Sequence, residues 1–182
     1  HFQREITIEQ ALNAPIIAWP HGLFDCCPTT DGSAGAIICR ADMAPKFRKD
    51  YILVRALALA VSPGRPAFTP GRDFLHWPPT VHAARQAYEQ AGIRQPLKEL
   101  DCVELHDCFT TTELLTYEDL GFCPKGQAKD YVDAGVFTLE GELPVNTDGG
   151  LKSFGHPIGA SGIRMIFELY KQLQGRVDGP RQ

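Results

Sequence analysis

Residues 146–162 read Asn-Thr-Asp-Gly-Gly-Leu-Lys-Ser-Phe-Gly-His-Pro-Ile-Gly-Ala-Ser-Gly and lead straight into an amphipathic segment. No other stretch so narrows what the chain can fold into. Five glycines, at 149, 150, 155, 159 and 162, crowd one imidazole, and such residues let a bulky ligand come close to the backbone. Pro157 restricts Gly155-His156 to extended conformations and so helps to aim the ring. The periodicity predicts a helix from about Gly159 to Gln174, with Ile163, Ile166, Phe167 and Tyr170 on its buried face. A helix start disfavours positive charge, so His156 is expected to be neutral and able to accept a proton. His156 is therefore read as a general base.

A second segment ends in chemistry as well. Leu100–Leu105 reads as a strand, and Val103-Glu104-Leu105-His106-Asp107-Cys108-Phe109 delivers His106 and Cys108 to its end. Thr110-x-x-Glu113 is a capping-box pattern for the helix that follows, which should stop at Gly121. In α/β sheets, ligands gather beyond the carboxyl ends of strands. Two histidines and a cysteine would then converge on one pocket, where a helix start and a neighbouring imidazole favour the thiolate of Cys108. Spacing alone leaves another reading open: His106 as a partly buried, satisfied histidine and Cys108 as packing.

Elsewhere, Thr7-Ile8-Glu9-Gln10 is a capping box opening a short helix before Pro15. Residues 31–39 read as a turn entering a buried strand of small side chains, and Tyr51–Val61 as a second buried strand. The proline-dense stretch 62–80 reads as a loop. Val81–Ala91 reads as a helix with Val81, Ala84, Tyr88 and Ala91 on one face, stopped by Gly92. Phe137–Leu139 and Pro144–Asn146 read as short strands about a turn at Gly141. Alternating strand and helix predicts an α/β layered fold.

With 182 residues, 43% hydrophobic and 22% charged, the chain can bury a proper core. A net charge of -4 with scattered basic residues argues against nucleic acid as a partner, leaving only Lys46-Phe47-Arg48-Lys49 as a basic cluster. No apolar run is long enough to span a membrane. The six cysteines, at 26, 27, 39, 102, 108 and 123, show no C-x-x-C pairing and point to a reducing compartment. Zinc on Cys102, His106, Cys108 and Cys123 would need a spacing that matches no standard site, so no metal is expected. Trp19 and Trp77 flank proline-rich turns; a ligand could stack on them, although burial is the ordinary expectation. The chain opens on His1 and stops soon after a helix, so it is expected to be part of something longer.

His-Asp-Cys-Phe after a strand, followed some fifty residues later by Gly-Gly-Leu-x-x-x-Gly-His-Pro-x-Gly-Ala-x-Gly, closely resembles the thiolase superfamily. Within it the chain resembles the sterol-carrier-protein-type thiolases and bacterial acetyl-CoA acetyltransferases. Phe2-Gln3-x-Glu5-Ile6-Thr7, Asp31-Gly32-Ser33-Ala34-Gly35-Ala36 and Leu114–Cys123 extend the resemblance along essentially the whole chain. It implies a thiolase-like αβαβα fold in which residues 1–45 end the loop region and the N-terminal half. Residues 46–182 would form the C-terminal half without its terminal strands.

The implied activity is cleavage or Claisen condensation of 3-oxoacyl-CoA through an acyl-cysteine. The nucleophile would lie upstream of His1, since none of the six cysteines sits in a similar loop. By position, His156 matches the histidine that activates the nucleophile. His106 matches an oxyanion-hole donor acting with a water, and Cys108 the acid/base thiol. Gly149, Gly150, Ser153 and Gly155 stand where a pantetheine arm could pass, although Gly149 and Gly150 read equally well as turn residues. No cofactor is implied beyond the coenzyme A thioester, which is substrate. A homodimer or homotetramer is implied, as is a cytoplasmic location (peroxisomal in a eukaryote). Two further readings remain: a retro-aldolase acting on steroid side-chain CoA esters with a small partner protein, or a non-catalytic acyl-CoA-binding subunit.

Overall fold

The computed structural model describes residues 2–62 and 73–182. Contacts divide the chain into two compact units. One comprises His1–Leu53, Cys102–Thr112 and Val145–Gln182; the other comprises Val54–Asp101 and Glu113–Pro144. The helices are α1 (Ile8–Leu12), α2 (Ala44–Phe47), α3 (Pro78–Ala91), α4 (Pro96–Glu99), α5 (Thr110–Asp119), α6 (Ala128–Asp133), α7 (Gly150–Phe154) and α8 (Ile158–Leu173). Strands β1 (Ile16–Ala18) and β2 (His21–Gly22) form an antiparallel hairpin. Isolated bridges pair Cys26 with Phe109 and Val103 with Val145. None of the described helices is long and apolar enough to cross a membrane.

In the first unit, the Thr7 hydroxyl accepts from Gln10 N at 3.1 Å while the Gln10 side chain accepts from Thr7 N at 3.0 Å, closing the predicted capping box of α1. Asp50 gathers a second anchor. Its carboxylate pairs with Arg48 at 2.7 Å and Arg176 at 2.6 Å, and its carbonyl accepts from Tyr170 Oη at 3.3 Å. Hydrogen bonding to Arg48 above all holds the Asp50 carboxyl down to about 2.

The second unit is organised around aromatic rings. Phe137 stacks on Tyr117 with centroids 3.9 Å apart and meets Tyr131 and Phe122 at 6.4 and 6.3 Å. Leu143, in the same unit, is wholly buried. Helix α3 starts earlier than its apolar pattern suggests because Pro78 and Pro79 occupy its first turn, where their missing N–H groups cost nothing. The α3 face of Val81, Ala84, Tyr88 and Ala91 is turned from solvent as expected, and Gly92 closes the helix at φ 78°. Gly121 at φ 75° closes α5, with Gly121 N and Phe122 N bonded back to Glu118 O and Tyr117 O. The phenol of Tyr88 donates to Leu120 O at 2.9 Å and is pushed up to about 12 by burial. Asp119 accepts from Trp77 N at 2.6 Å and from Lys125 at 2.5 Å, fixing the approach to α3.

Several sequence expectations are corrected. Residues 31–39 and 51–61 join no ladder, and their largest apolar side chains are mostly exposed: Ile37 is 100% exposed and Leu57 81%, while Ile52 is half-buried. An apolar run acquires strand structure only from neighbours that pair with it, and neither run has one among the described residues. Of the strand expected at Leu100–Leu105, only Val103 is bridged. Phe137–Leu139 lies in turns, and Pro144–Asn146 contributes only Val145. Thr110 is not a cap: it begins α5 and gives its hydroxyl to Asp25 at 2.9 Å. The buried residues of α8 are Ala160, Ser161 and Glu168, whereas Ile166 and Phe167 are exposed, because this helix turns a polar network inward. Trp19 is 86% exposed rather than buried. Of the loop expected at 62–80, residues 63–72 lie outside the described residues, and 78–80 belong to α3.

The burial contrast is directly measurable. Leu143→Ala is expected to cost about 2–5 kcal/mol in urea unfolding, whereas Leu57→Ala should stay within about 0.5 kcal/mol. Equal losses would contradict the assigned core.

Candidate active site

Two turns bring the histidines together. His106 ends the extended segment from Val103, and His156 lies between α7 and α8. Their rings meet edge to face, with centroids 4.9 Å apart and an interplanar angle of 73°. Burial first, and His156 next, push the His106 imidazole below its ordinary value, against the opposing pull of Asp107. His106 is thereby held in its neutral form.

The path of the second turn is set by Asn146, which adopts a left-handed φ of 50°. Its N–H donates to Val103 O at 2.8 Å and its side-chain oxygen accepts from Leu105 N at 2.9 Å. One residue thus ties the turn to the segment carrying His106. Asp107 then receives Leu151 N at 2.9 Å in the first turn of α7. Burial raises the Asp107 carboxyl, and the Leu151 N–H works against that rise. Lys152 donates to Leu23 O and Cys26 O, both at 2.7 Å.

The glycines have a tight structural use. A Cβ on Gly150 would sit 2.2 Å from Asp107 Oδ2, and one on Gly155 would sit 2.1 Å from Thr30 Oγ1. One on Gly149 would lie 2.6 Å from Ser153 Cβ. All three have positive φ. A side chain at any of the three would therefore collide with Asp107, Thr30 or Ser153.

A cleft of about 640 Å³ does open beside His156, lined by residues 27–34 and 156–160. Gly149, Gly150, Ser153, Gly155, His106 and Cys108 are not among its lining residues. Cys108 lies in the same unit, with its thiol directed at Thr112 Oγ1 at 3.7 Å. All six cysteines are free thiols, and no cluster suited to a metal ion occurs among the described residues.

Four residues that sequence reading passed over shape this site. Ser161 Oγ lies 2.7 Å from His156 Nδ1 and donates its proton to Pro157 O at 3.2 Å. A hydroxyl has one proton to give, so the Ser161 rotor and the His156 tautomer are set together. Arg164, one turn further along α8, pairs with Glu104 at 3.3 Å and with Asp148 in a shorter contact. Both carboxylates are 1% exposed. One guanidinium thus serves two buried acids, one on the segment before His106 and one on the turn before α7. Burial, opposed by Arg164, pushes Glu104 up to about 7. The available signals were the i, i+2 spacing of Glu104 and His106, and the spacing of Ser161 and Arg164 beyond His156.

Two measurements check this arrangement. Long-range ¹H–¹⁵N correlation should show His156 protonated at Nδ1, and Ser161→Ala should erase that preference; an unchanged tautomer would refute the Ser161 contact. A raised Glu104 means that the folded state holds a proton which the unfolded state releases above about pH 4.5. Stability from this group is therefore lost as pH rises toward 7, on the order of 3 kcal/mol in total. Relative to the parent, Glu104→Gln should accordingly become more favourable from pH 5.5 to pH 7.5 in paired urea melts. A pH-independent difference would contradict it.

Comparison with known proteins sets the chain in a family. Residues 65–182 match the pattern described as thiolase C-terminal domain-like. Over 181 residues the chain is 40% identical to an acetyl-CoA acetyltransferase of Methanothermobacter thermautotrophicus, covering all of this chain and 46% of that protein. It is 36% identical to human sterol carrier protein 2, covering all of this chain and 33% of that one. It is 38% identical to a benzoylsuccinyl-CoA thiolase subunit of Thauera aromatica, covering 98% and 45%. The chain therefore spans less than half the length of these relatives. Among solved structures, the Ltp2-ChsH2(DUF35) aldolase superposes with a TM-score of 0.79 at 27% identity, over 96% of this chain and 45% of that one. This likeness gives the α/β thiolase-like fold, although few ladders form among the described residues. The chain belongs to the thiolase family, as its C-terminal domain-like part.

Proposed function

We propose that the complete protein is an acyl-CoA thiolase or acetyl-CoA acetyltransferase, to which these residues contribute the acid/base side of the active site. The observation that carries this reading is the edge-to-face approach of His106 and His156 at 4.9 Å, made by two separate turns of one unit. His156 Nε2 removes the proton of a nucleophilic cysteine supplied from outside these 182 residues. The resulting thiolate attacks the 3-oxo carbon of the substrate, and the bond between C2 and C3 breaks. His106, with a water, stabilises the oxygen of the departing enolate, and Cys108 returns a proton to its carbon. Free coenzyme A then lifts the acyl group from the nucleophile. Condensation runs the same steps backward.

Each role asks for an ordinary magnitude. General base catalysis contributes about 10²–10⁴-fold, and an oxyanion donor roughly 3–4 kcal/mol. A thiol suits the α-proton because it cycles between its two forms near neutrality. The cleft lined by residues 27–34 and 156–160 lies within the usual range of ligand sites and suits the acyl-pantetheine end of the substrate. Homo-oligomeric assembly belongs to the same proposal.

The likeness to a solved aldolase favours one alternative, retro-aldol cleavage of steroid side-chain CoA esters with a small partner protein. Product analysis separates the two. A thiolase gives two acyl-CoA esters and consumes coenzyme A, whereas a retro-aldolase releases a free carbonyl compound.

In the complete enzyme, His156→Ala is expected to lower acetoacetyl-CoA thiolysis about 10²–10⁴-fold. Near-parental turnover would refute the role. The 182 residues alone are expected to show none.

A further inference from the structure

Cys26 and Phe109 form an antiparallel bridge, and Cys27 N donates to Cys108 O at 3.0 Å. That register sets Cys27 directly opposite Cys108. Directly opposed residues of an antiparallel pair project from the same face, about 5.5 Å apart at Cα when they occupy a hydrogen-bonded position. Disulfides usually span about 4.4–6.8 Å between Cα atoms, so the pairing lies within bridging range. Cys26, the preceding residue, is buried on the other face, while Cys27 and Cys108 are each partly accessible and Cys27 lines the cleft beside His156. Both segments belong to one compact unit.

We propose that Cys27 and Cys108 form a cross-strand dithiol site that hydrogen peroxide converts reversibly to a disulfide. One thiolate attacks a peroxide oxygen, the O–O bond breaks, and the leaving hydroxide takes a proton to become water. The sulfenic acid so formed is attacked by the second thiolate, its S–O bond breaks, and a second water departs. Two thiols and one peroxide thus give one disulfide and two waters. Burial, followed by the neighbouring Cys108 and Asp107, raises the Cys27 thiol. Cβ atoms at a hydrogen-bonded position lie at the wide end of what a disulfide spans, so the bond is strained and readily reduced.

The cross-link stands on backbone pairing and does not depend on the catalytic reading. Only its consequence, withdrawal of the proposed acid/base thiol, rests on that reading.

The test uses the full 182-residue chain, treated with near-stoichiometric hydrogen peroxide, alkylated with N-ethylmaleimide and mapped by mass spectrometry. The monomeric fraction is expected to lose two of its six thiols, with one peptide bearing Cys108 linked to one bearing Cys26 and Cys27, and dithiothreitol should restore all six. Cys26→Ala should keep the link. Cys27→Ala should leave Cys108 as a sulfenic acid that dimedone traps. Two results would overturn the proposal: Cys27 and Cys108 still alkylated, or separately overoxidised, after treatment, or a link that survives Cys27→Ala. Either would leave the thiolase proposal intact, since that is judged by His156→Ala turnover.

Discussion

The arrangement around the two histidines depends on one buried guanidinium. Arg164 stands between Glu104 and Asp148, which belong to different segments, and is itself held on α8. Both acids are 1% exposed, and a guanidinium placed between them draws the three segments toward one geometry. Ser161 projects from the same face of α8 one turn earlier and takes hold of His156. Charge neutralisation and ring placement are thus consequences of a single helix face. The Phe154 ring under Arg164, 4.9 Å from its centre, adds a cation–π contact from the end of α7.

This polar face explains why α8 was misread. Its hydrophobic periodicity is real, but the apolar positions Ile166 and Phe167 look outward, while Ser161, Arg164 and Glu168 face the unit. Periodicity reports where apolar residues lie, not which side of a helix its unit needs. The same rule misled at residues 51–61, where β-rich, apolar chemistry is present and pairing strands are not found among the described residues. Strand structure is a property of pairs, so a single run of sequence holds only half of the information.

Local signals with their own chemistry were legible. The Thr7–Gln10 box closes within four residues, and Gly92 and Gly121 end their helices because only left-handed backbone lets the last N–H groups turn back. The two histidine loops were legible for a similar reason, since proline and glycine fix backbone directly. Asn146 was not. Its left-handed φ and double attachment to Val103 and Leu105 depend on a partner segment more than forty residues away. The glycines were legible by conformation, but the side chains of Asp107 and Thr30 that pack against Gly150 and Gly155 come from distant segments and were not.

The bond between His156 and Ser161 also makes the ring directional. With Nδ1 on the α8 side of the imidazole committed to the Ser161 hydroxyl, proton traffic has a single doorway at the opposite nitrogen. Anything that exchanges a proton with this residue must arrive at that edge, so the helix dictates the trajectory of a partner it never touches.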